Sequence, residues 1–205
     1  MNNSNIKINY LDTPEKLYSS ADEVISFLVE HLRTLNDIAN KYARLEKQVY
    51  APMSELRSKL KLYQAVKDKS PSITSEIQKL EEQLNQGVRI NGVRIKDEQE
   101  VWRQYKADYG QAASAFCTEE LLSKGYAQSL CCNQYGNEYS YLNYGCELAI
   151  TMKSTRRAII EASFKDYPSN LSKWNQFTLI SDSEWHLDKV KYKFNQNDRW
   201  VSMGV

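Results

Sequence analysis

Apolar residues in the first half of the chain recur at helical spacing. Between Leu17 and Val49 they follow one another at steps of three and four, which is the pattern of a helix with one apolar face. The preceding Thr13-Pro14 supplies a capping side chain and a proline for the first turn. We therefore predict one long helix from about 14 to 50. Pro52 is expected to bend or interrupt it, because proline lacks the backbone N–H that a helix uses.

Helical spacing returns twice further along. Apolar residues at 73, 77, 80 and 84 predict a short helix that ends near Gly87. A second helix is predicted over 97–116, after which Thr118 and two glutamates form the start of another short helix.

A β-ribbon is predicted between these helices, at 88–95. The stretch "GVRINGVRI" repeats Val-Arg-Ile on either side of Asn91-Gly92, the dipeptide that most strongly signals a two-residue hairpin. Alternation places Arg89 and Arg94 on the polar side of the two arms. The arginines are candidate contacts for an acidic partner, and the alternative is a polar ribbon face that only meets water.

From Tyr135 onward the pattern of apolar residues changes from helical to alternating. Short connections between the alternating segments predict an antiparallel meander. Trp200 is expected to contribute a further edge. The predicted strands cover 146–152, 158–167, 173–181 and 184–194.

The last predicted strand changes its apolar face partway along. Trp185 and Leu187 are apolar at odd positions, whereas Val190, Tyr192 and Phe194 are apolar at even positions. Because successive side chains in a strand alternate between faces, such a switch requires one inserted residue, a β-bulge, between the two sets. The alternative is a strand whose two ends are covered from opposite sides. Either arrangement makes the sheet curved or two-sided.

Helices followed by a bent antiparallel sheet define an α+β fold. We expect long N-terminal helices, then a curved antiparallel sheet packed on helices, with a cone-like concave surface. The predicted division is a helical hairpin extension over 1–96, which contains the ribbon, and an α+β domain over 97–205.

Charge and composition narrow the classes of partner. The chain has 205 residues, of which 27 are basic and 26 acidic, with a formal net charge of +1. The two signs are mixed along the chain, which argues against a nucleic-acid partner. The first twenty residues lack the apolar run of a secretion signal, and no stretch approaches the roughly 20 apolar residues that span a bilayer. We predict a cytoplasmic protein with no membrane partner.

Neither a metal nor a cofactor is predicted. The cysteines lack the spacing of a zinc site and are expected to be buried free thiols in a reducing cytosol; they are Cys117, Cys131, Cys132 and Cys146. His186 and Asp188 lie two apart on the last strand, where a carboxylate could tune an imidazole for acid–base chemistry. The simpler interpretation is that this pair is solvated.

The second half of the chain resembles a known superfamily. The segments "TEELL", "RAIIEASF", "WNQFTLIS" and "SEWHLDKVKYKF" are similar to the nuclear-transport-factor-2-like (cystatin-like) superfamily over about residues 97–200. The closing strand carries the likeness through Trp185, Leu187, Asp188 and Val190. The superfamily contains isomerases, dehydratases, transport adaptors and bacterial immunity proteins. The last of these bind toxins delivered by contact-dependent or type VI secretion systems.

The resemblance and the composition together favour a binding protein. The chain contains 14 tyrosines and 4 tryptophans, residue types that are enriched at recognition surfaces. We predict a bacterial immunity protein, without enzymatic activity, that occludes the active site of a cognate toxin. The candidate contact residues are Tyr135, Tyr139, Tyr141, Tyr144, Lys189, Lys191, Lys193, Arg89 and Arg94.

Two alternatives remain open at this point. One is a small-molecule-binding protein or an isomerase or dehydratase of the same fold. The other is a coiled-coil scaffold, since the heptads of the long N-terminal helix also permit a homodimer.

Overall fold

The computed structural model describes residues 6–124, 139–165 and 171–205. The chain forms two compact units, one made of 1–39 and 106–205 and the other of 40–105. The division predicted from the sequence lies between 96 and 97, whereas these units divide the chain after 39 and after 105. Residues 1–39 belong to the unit that holds the large sheet, because the first strand pairs within that sheet.

The long N-terminal helix is present and is longer than predicted. A 3-10 turn at Glu15–Leu17 leads into α1, Tyr18–Gln64, and Pro52 lies inside it without ending it. Residues Val49 and Met53 on either side of the proline are buried, so local packing offsets the hydrogen bond that proline cannot make. None of the helices described is both long enough and apolar enough to cross a membrane.

The unit of residues 40–105 continues with α2, Pro71–Gln86. Ser70 caps it by accepting a hydrogen bond from the backbone N–H of Ile73 at 3.4 Å, and Gly87 ends it with a φ of 71°. Both ends agree with the sequence pattern.

The predicted ribbon is confirmed. Its strands are β2, Val88–Ile90, and β3, Val93–Ile95, paired antiparallel. Asn91 and Gly92 have positive φ values of 50° and 82°, as a tight hairpin of this kind requires. The third helix, α3, then runs over Glu98–Ser114.

The larger unit contains a six-stranded sheet in the order β1-β4-β5-β6-β7-β8. From β4 to β8 it is the predicted antiparallel meander. Its first strand was not predicted, and it pairs parallel to β4 with Ile6 opposite Cys146, so the sheet is mixed and not purely antiparallel. The strands are β1 Ile6–Leu11, β4 Cys146–Ser154, β5 Arg157–Lys165, β6 Ser172–Ser181, β7 Trp185–Lys193 and β8 Val201–Met203.

Two short helices complete this unit, α4 at Glu119–Ser123 and α5 at Tyr141–Tyr144. The second is a correction, since an alternating segment had been predicted from 135 to 144. Tyr141 and Leu142 of this helix are buried, so these side chains pack on its inner side and do not alternate as in a strand.

Helices cover one face of the sheet, which makes the fold α+β as predicted. Side chains of α1 meet side chains of the strands and of the segment after α3 in a single core. The residues of this core that are least exposed include Leu28, Leu32, Leu35, Phe116, Ile150, Ile160, Phe177 and Val190.

Candidate functional site

The switch of apolar face in β7 is produced by a β-bulge, as one of the two predicted alternatives required. Lys189 is opposite Thr178, but Leu187 is opposite Leu179. Asp188 is therefore the extra residue on β7, and it has no partner of its own on β6. Because of this insertion, Leu187 and Val190 are both buried in the core.

The connection between α3 and α4 holds the bulged edge. The backbone N–H of Thr118 donates to the Leu187 carbonyl at 2.9 Å, and the Leu187 N–H donates to the Phe116 carbonyl at 2.7 Å. The Thr118 hydroxyl accepts from the N–H of Leu121 at 3.3 Å and lies 3.4 Å from the Asp188 carboxylate as a donor. The edge of β7 beside the bulge is thus paired and not open.

The two faces of the sheet differ in burial. In β5, Ala158, Ile160 and Ala162 are fully buried, whereas Ile159 and Glu161 between them are half-buried. We name the second face of β5, β6 and β7 the outer face. It comprises Ile159, Glu161, Ser163, Trp174, Gln176, Thr178, Ile180, His186, Lys189, Lys191 and Lys193.

The three predicted lysines lie together on the outer face. Lys189, Lys191 and Lys193 are opposite Thr178, Gln176 and Trp174 in register. The structure thus confirms that they share one face. Whether they contact a partner stays a prediction.

These lysines differ in what holds them. The Lys193 ammonium lies 5.6 Å from the centre of the Trp174 ring and 4.6 Å from that of Trp200, and it donates to the Gln196 carbonyl at 2.8 Å. Lys189 is 3.8 Å from the Asp188 carboxylate. Lys191 has no ion-pair partner within the described parts of the chain. Lys193 is therefore tied into the fold, and Lys191 is the lysine whose charge is least compensated.

Polar and aromatic groups surround Lys191. Opposite it, Gln176 donates from its amide to the Glu161 carboxylate at 2.8 Å. The half-buried Trp174 lies two residues along β6. The outer face can therefore offer a cation, an amide, a carboxylate and an indole from three neighbouring strands, whose backbones are fixed by pairing.

A shallow groove lies at the end of this face, with a volume of about 600 Å³. An ion pair of 3.0 Å between Lys7 and Glu147 forms part of its wall. Ser163, Lys165 and Trp174 also line it. Polar and apolar groups line the groove in about equal measure, and it can hold a small molecule or a partner's side chains.

Two of the four tyrosines predicted as partner contacts are buried. Tyr139 is 2% and Tyr141 is 3% exposed, so the prediction of exposed contacts is wrong for these two. The Tyr141 ring stacks on Phe164 at 3.8 Å, its hydroxyl accepts from the Asn175 amide at 3.4 Å, and burial raises the pKa of Tyr141. Tyr144 is 69% exposed. Tyr135 lies outside the described residues, as do Cys131 and Cys132.

The two arginines of the ribbon are exposed and directly opposite each other, Arg89 against Arg94. They belong to the unit of residues 40–105, whereas the outer face belongs to the other unit. The ribbon and the outer face are therefore two separate candidate surfaces.

His186 and Asp188, the candidate acid–base pair, have different surroundings. His186 is half-buried opposite Ile180 on the outer face. Asp188 has a side chain that is only 15% exposed and is directed to Thr118, so the expectation that it is solvated is wrong. Within 6–124, 139–165 and 171–205 there is no group of three or more His, Cys, Asp or Glu residues arranged to hold a metal ion.

Sequence reasoning missed two parts of this region. The Trp174–Lys193–Trp200 contact joins residues from three segments. Of these, only Lys193 had been predicted as a partner contact, while Trp200 had been expected to contribute an edge of the sheet. Thr118 was recognised as a helix cap, but its contact with Asp188 depends on long-range pairing that no local pattern shows. Comparison of the chain with protein-family models, with curated proteins and with solved structures gave no significant match.

Proposed function

We propose that this chain is a cytoplasmic bacterial immunity protein, which binds a cognate secreted toxin and neutralises it by occluding the toxin's active site. The outer face of the sheet is the proposed docking surface. The function rests on the superfamily resemblance, and the surface rests on the arrangement around Lys191.

The observation that supports the docking surface is the uncompensated charge of Lys191 beside the half-buried Trp174. Interfaces are anchored by aromatic and cationic side chains that need little ordering when a partner arrives. Here β-pairing on both sides fixes the backbone of β6, and the two-ring contact fixes the neighbouring Lys193. A preformed surface of this kind loses little conformational entropy on binding.

The chemistry of this face favours a partner with acidic groups. Three lysines in one row attract carboxylates, which raises the association rate and selects against basic partners. The expected contact is therefore an acidic patch beside the toxin's active-site cleft, and a protein docked there blocks the cleft sterically without entering it.

The experiment begins with the gene neighbourhood. Proteins encoded beside this chain are expressed in a bacterial host with and without it, and growth is measured. We expect one neighbour to be toxic alone and harmless in the presence of the chain. If no neighbour is toxic, or if the chain never restores growth, the immunity proposal is wrong.

The docking surface is tested separately, with the complex once obtained. Lys189→Glu combined with Lys191→Glu should weaken binding at least tenfold, as measured by titration calorimetry. The matched control is Lys16→Glu with Lys153→Glu, which changes the same charge at two exposed residues that are not among those of the outer face. Equal losses for both variants would contradict the docking surface and leave the immunity function standing.

One observation favours a second candidate function, the binding of a small molecule. The groove of about 600 Å³ lies in the range of ligand-binding pockets. Its lining combines the charged side chains of Lys7, Glu147 and Lys165 with the Trp174 ring, which suits a small charged metabolite that also has an apolar part. A screen of such metabolites for thermal stabilisation checks this, and the effect should be lost when Trp174 is replaced by alanine.

A further inference from the structure

The unit of residues 40–105 carries a second candidate surface, which is independent of the proposed function. Every residue from 61 through 70, in the last turn of α1 and the loop that follows it, is exposed. We name this segment the arm tip. It includes three apolar side chains that are exposed by 72% at Leu62, 37% at Tyr63 and 38% at Val66. Leu62 and Tyr63 lie in the last turn of α1, and Val66 stays close to them because its backbone N–H donates to the Tyr63 carbonyl at 3.3 Å.

We name the end of α1 together with α2 the arm. The apolar side chains of α2 are incompletely buried in it. Among the residues of α2, Leu80 is buried, whereas Ile73 and Ile77 are only half-buried. A helix normally buries a whole apolar stripe against its neighbours. The stripe of α2 is therefore incompletely covered by its own chain.

Charge is divided unequally between the two helices. Residues 57–69 contain five basic side chains against one acidic side chain, Asp68, whereas α2 contains three acidic side chains against Lys79. Some of these are neutralised locally. Lys59 pairs with Glu55 at 2.6 Å, and Lys79 pairs with Glu76 at 2.7 Å.

The remaining charges have complementary signs. Lys61, Lys67 and Lys69 at the arm tip have no ion-pair partner among the described residues, and the same holds for Glu81 and Glu82 on α2. The arm therefore has a basic end and, further back, an acidic segment. Glu81 lies about 15 Å along α2 from Pro71, the residue that follows the arm tip, at 1.5 Å per residue.

We propose that two copies of this chain associate through their arms, with the tip of each arm against the acidic segment of α2 in the other copy. A two-fold axis that crosses α2 near residue 75 runs the two copies of α2 antiparallel, so that the start of each α2, next to the arm tip, lies beside Glu81 and Glu82 of the other copy. The same axis brings Ile73 and Ile77 of both copies together. The result is an isologous four-helix contact that covers the half-buried stripe.

A second copy suits this surface better than other partners. The basic and acidic parts of the arm complement each other, whereas a phospholipid surface or a nucleic acid would be repelled by Glu81 and Glu82. The homodimer also differs from the coiled coil considered from the sequence, since it uses the end of α1 and α2 and not residues 14–50.

The test is sedimentation equilibrium of the full chain at low ionic strength. We expect an average mass that approaches twice 23.8 kDa as concentration rises, and a return to the monomer mass at high salt. Lys67→Glu with Lys69→Glu should be monomeric, and so should Glu81→Lys with Glu82→Lys. Circular dichroism verifies that each variant is folded.

The decisive sample is an equimolar mixture of the two variants. In the mixed pair, each tip again meets an α2 segment of opposite sign, so dimers should return at wild-type concentrations. Lys16→Glu with Lys153→Glu is the matched control and should dimerise like the wild type. A wild-type chain that stays monomeric, or a mixture that fails to recover dimers, overturns the proposal. Binding to vesicles of anionic phospholipid that is retained by the Glu81→Lys and Glu82→Lys variant, with no dimer, overturns it in favour of a membrane contact.

Discussion

Leu187 and Val190 are both buried on the same side of β7, although three positions separate them in sequence. Regular alternation would place them on opposite faces. Asp188 removes the conflict as the extra residue of the bulge, and the Thr118 segment pairs with Leu187 at this point. The core and the outer face are therefore both organised by one inserted residue.

The bulge leads to a paired prediction for stability. Leu187→Ala should lower the free energy of unfolding by about 2–5 kcal/mol and Val190→Ala by roughly 2 kcal/mol, since each leaves a cavity in the core. Lys191 follows Val190 but lies on the outer face, so Lys191→Ala should change the free energy of unfolding by less than about 0.5 kcal/mol. Urea unfolding measures all three. If only one of the two apolar variants is destabilised, the face switch is wrong.

Gly87, which ends α2, and Gly92, in the turn of the ribbon, should respond very differently to alanine. At Gly87 an added Cβ would lie 2.2 Å from the Ile95 carbonyl oxygen and 2.6 Å from the Lys96 Cα, while at Gly92 nothing lies within 4 Å. Both have positive φ. Gly92→Ala should therefore cost only the backbone strain, about 1–2 kcal/mol. Gly87→Ala should cost roughly 3 kcal/mol or more, because backbone must also move. Equal melting temperatures for the two variants would contradict the close approach at Gly87.

Acid should weaken one ion pair in the unit of residues 40–105. Arg57 binds both carboxylate oxygens of Glu98, at 2.7 and 2.8 Å, and this holds the pKa of Glu98 below its ordinary 4.5. A lowered pKa stabilises the fold above the ordinary value, and that contribution disappears as pH falls through the folded-state pKa.

Arg57→Met should accordingly lower stability at neutral pH by about 0.5–1 kcal/mol, a small value because Arg57 is half-exposed and screened by solvent. The difference from the wild type should shrink as the pH is lowered below 4.5. Denaturant unfolding as a function of pH measures it, with Lys59→Met as the control for an exposed pair. A difference that stays constant down to strongly acidic pH would show that the carboxylate is not involved.

Replacement of Asn36 by an apolar residue should raise the free energy of unfolding. Its side chain is 1% exposed, and neither amide atom has a hydrogen-bond partner among the described residues. Such a group loses its hydration without compensation. Asn36→Leu should raise the free energy of unfolding by about 1 kcal/mol, and Asn36→Asp should lower it. Destabilisation by leucine would mean that the amide is satisfied in solution.

Two cysteines should resist alkylation in the folded protein. Cys117 and Cys146 are free and buried, and burial raises the pKa of each thiol to about 12. Almost no thiolate, the reactive form, is then present at pH 8. Peptide mapping after iodoacetamide treatment should find both unmodified until denaturant is added. Rapid modification of either residue in the native protein would show that its pocket opens.

The parts of this fold that sequence predicted are those that local patterns determine. The bulge follows from parity within one strand around Leu187 and Val190, and the hairpin follows from Asn91-Gly92. Pro52 was expected to bend or interrupt α1, and the helix continues through it. The packing of neighbouring residues, which the sequence does not display, decides whether a helix tolerates proline.

The candidate site was predicted less well, for a similar reason. The lysine row follows from alternation alone. The burial of Tyr139 and Tyr141 does not, since tyrosine is suited both to surfaces and to cores with one polar contact. The contacts of Thr118 and Trp200 depend on which distant segments meet.

The pairing of β1 with β4 joins segments that are 140 residues apart, as the Lys7–Glu147 contact shows. During synthesis on the ribosome, β1 therefore emerges long before β4, the strand with which it pairs in the described part of the chain. The backbone of β1 stays without this partner while α1 to α5 are synthesised. Refolding should for this reason be slow compared with helical proteins of equal size, and co-translational assembly of the sheet can only begin near the end of translation.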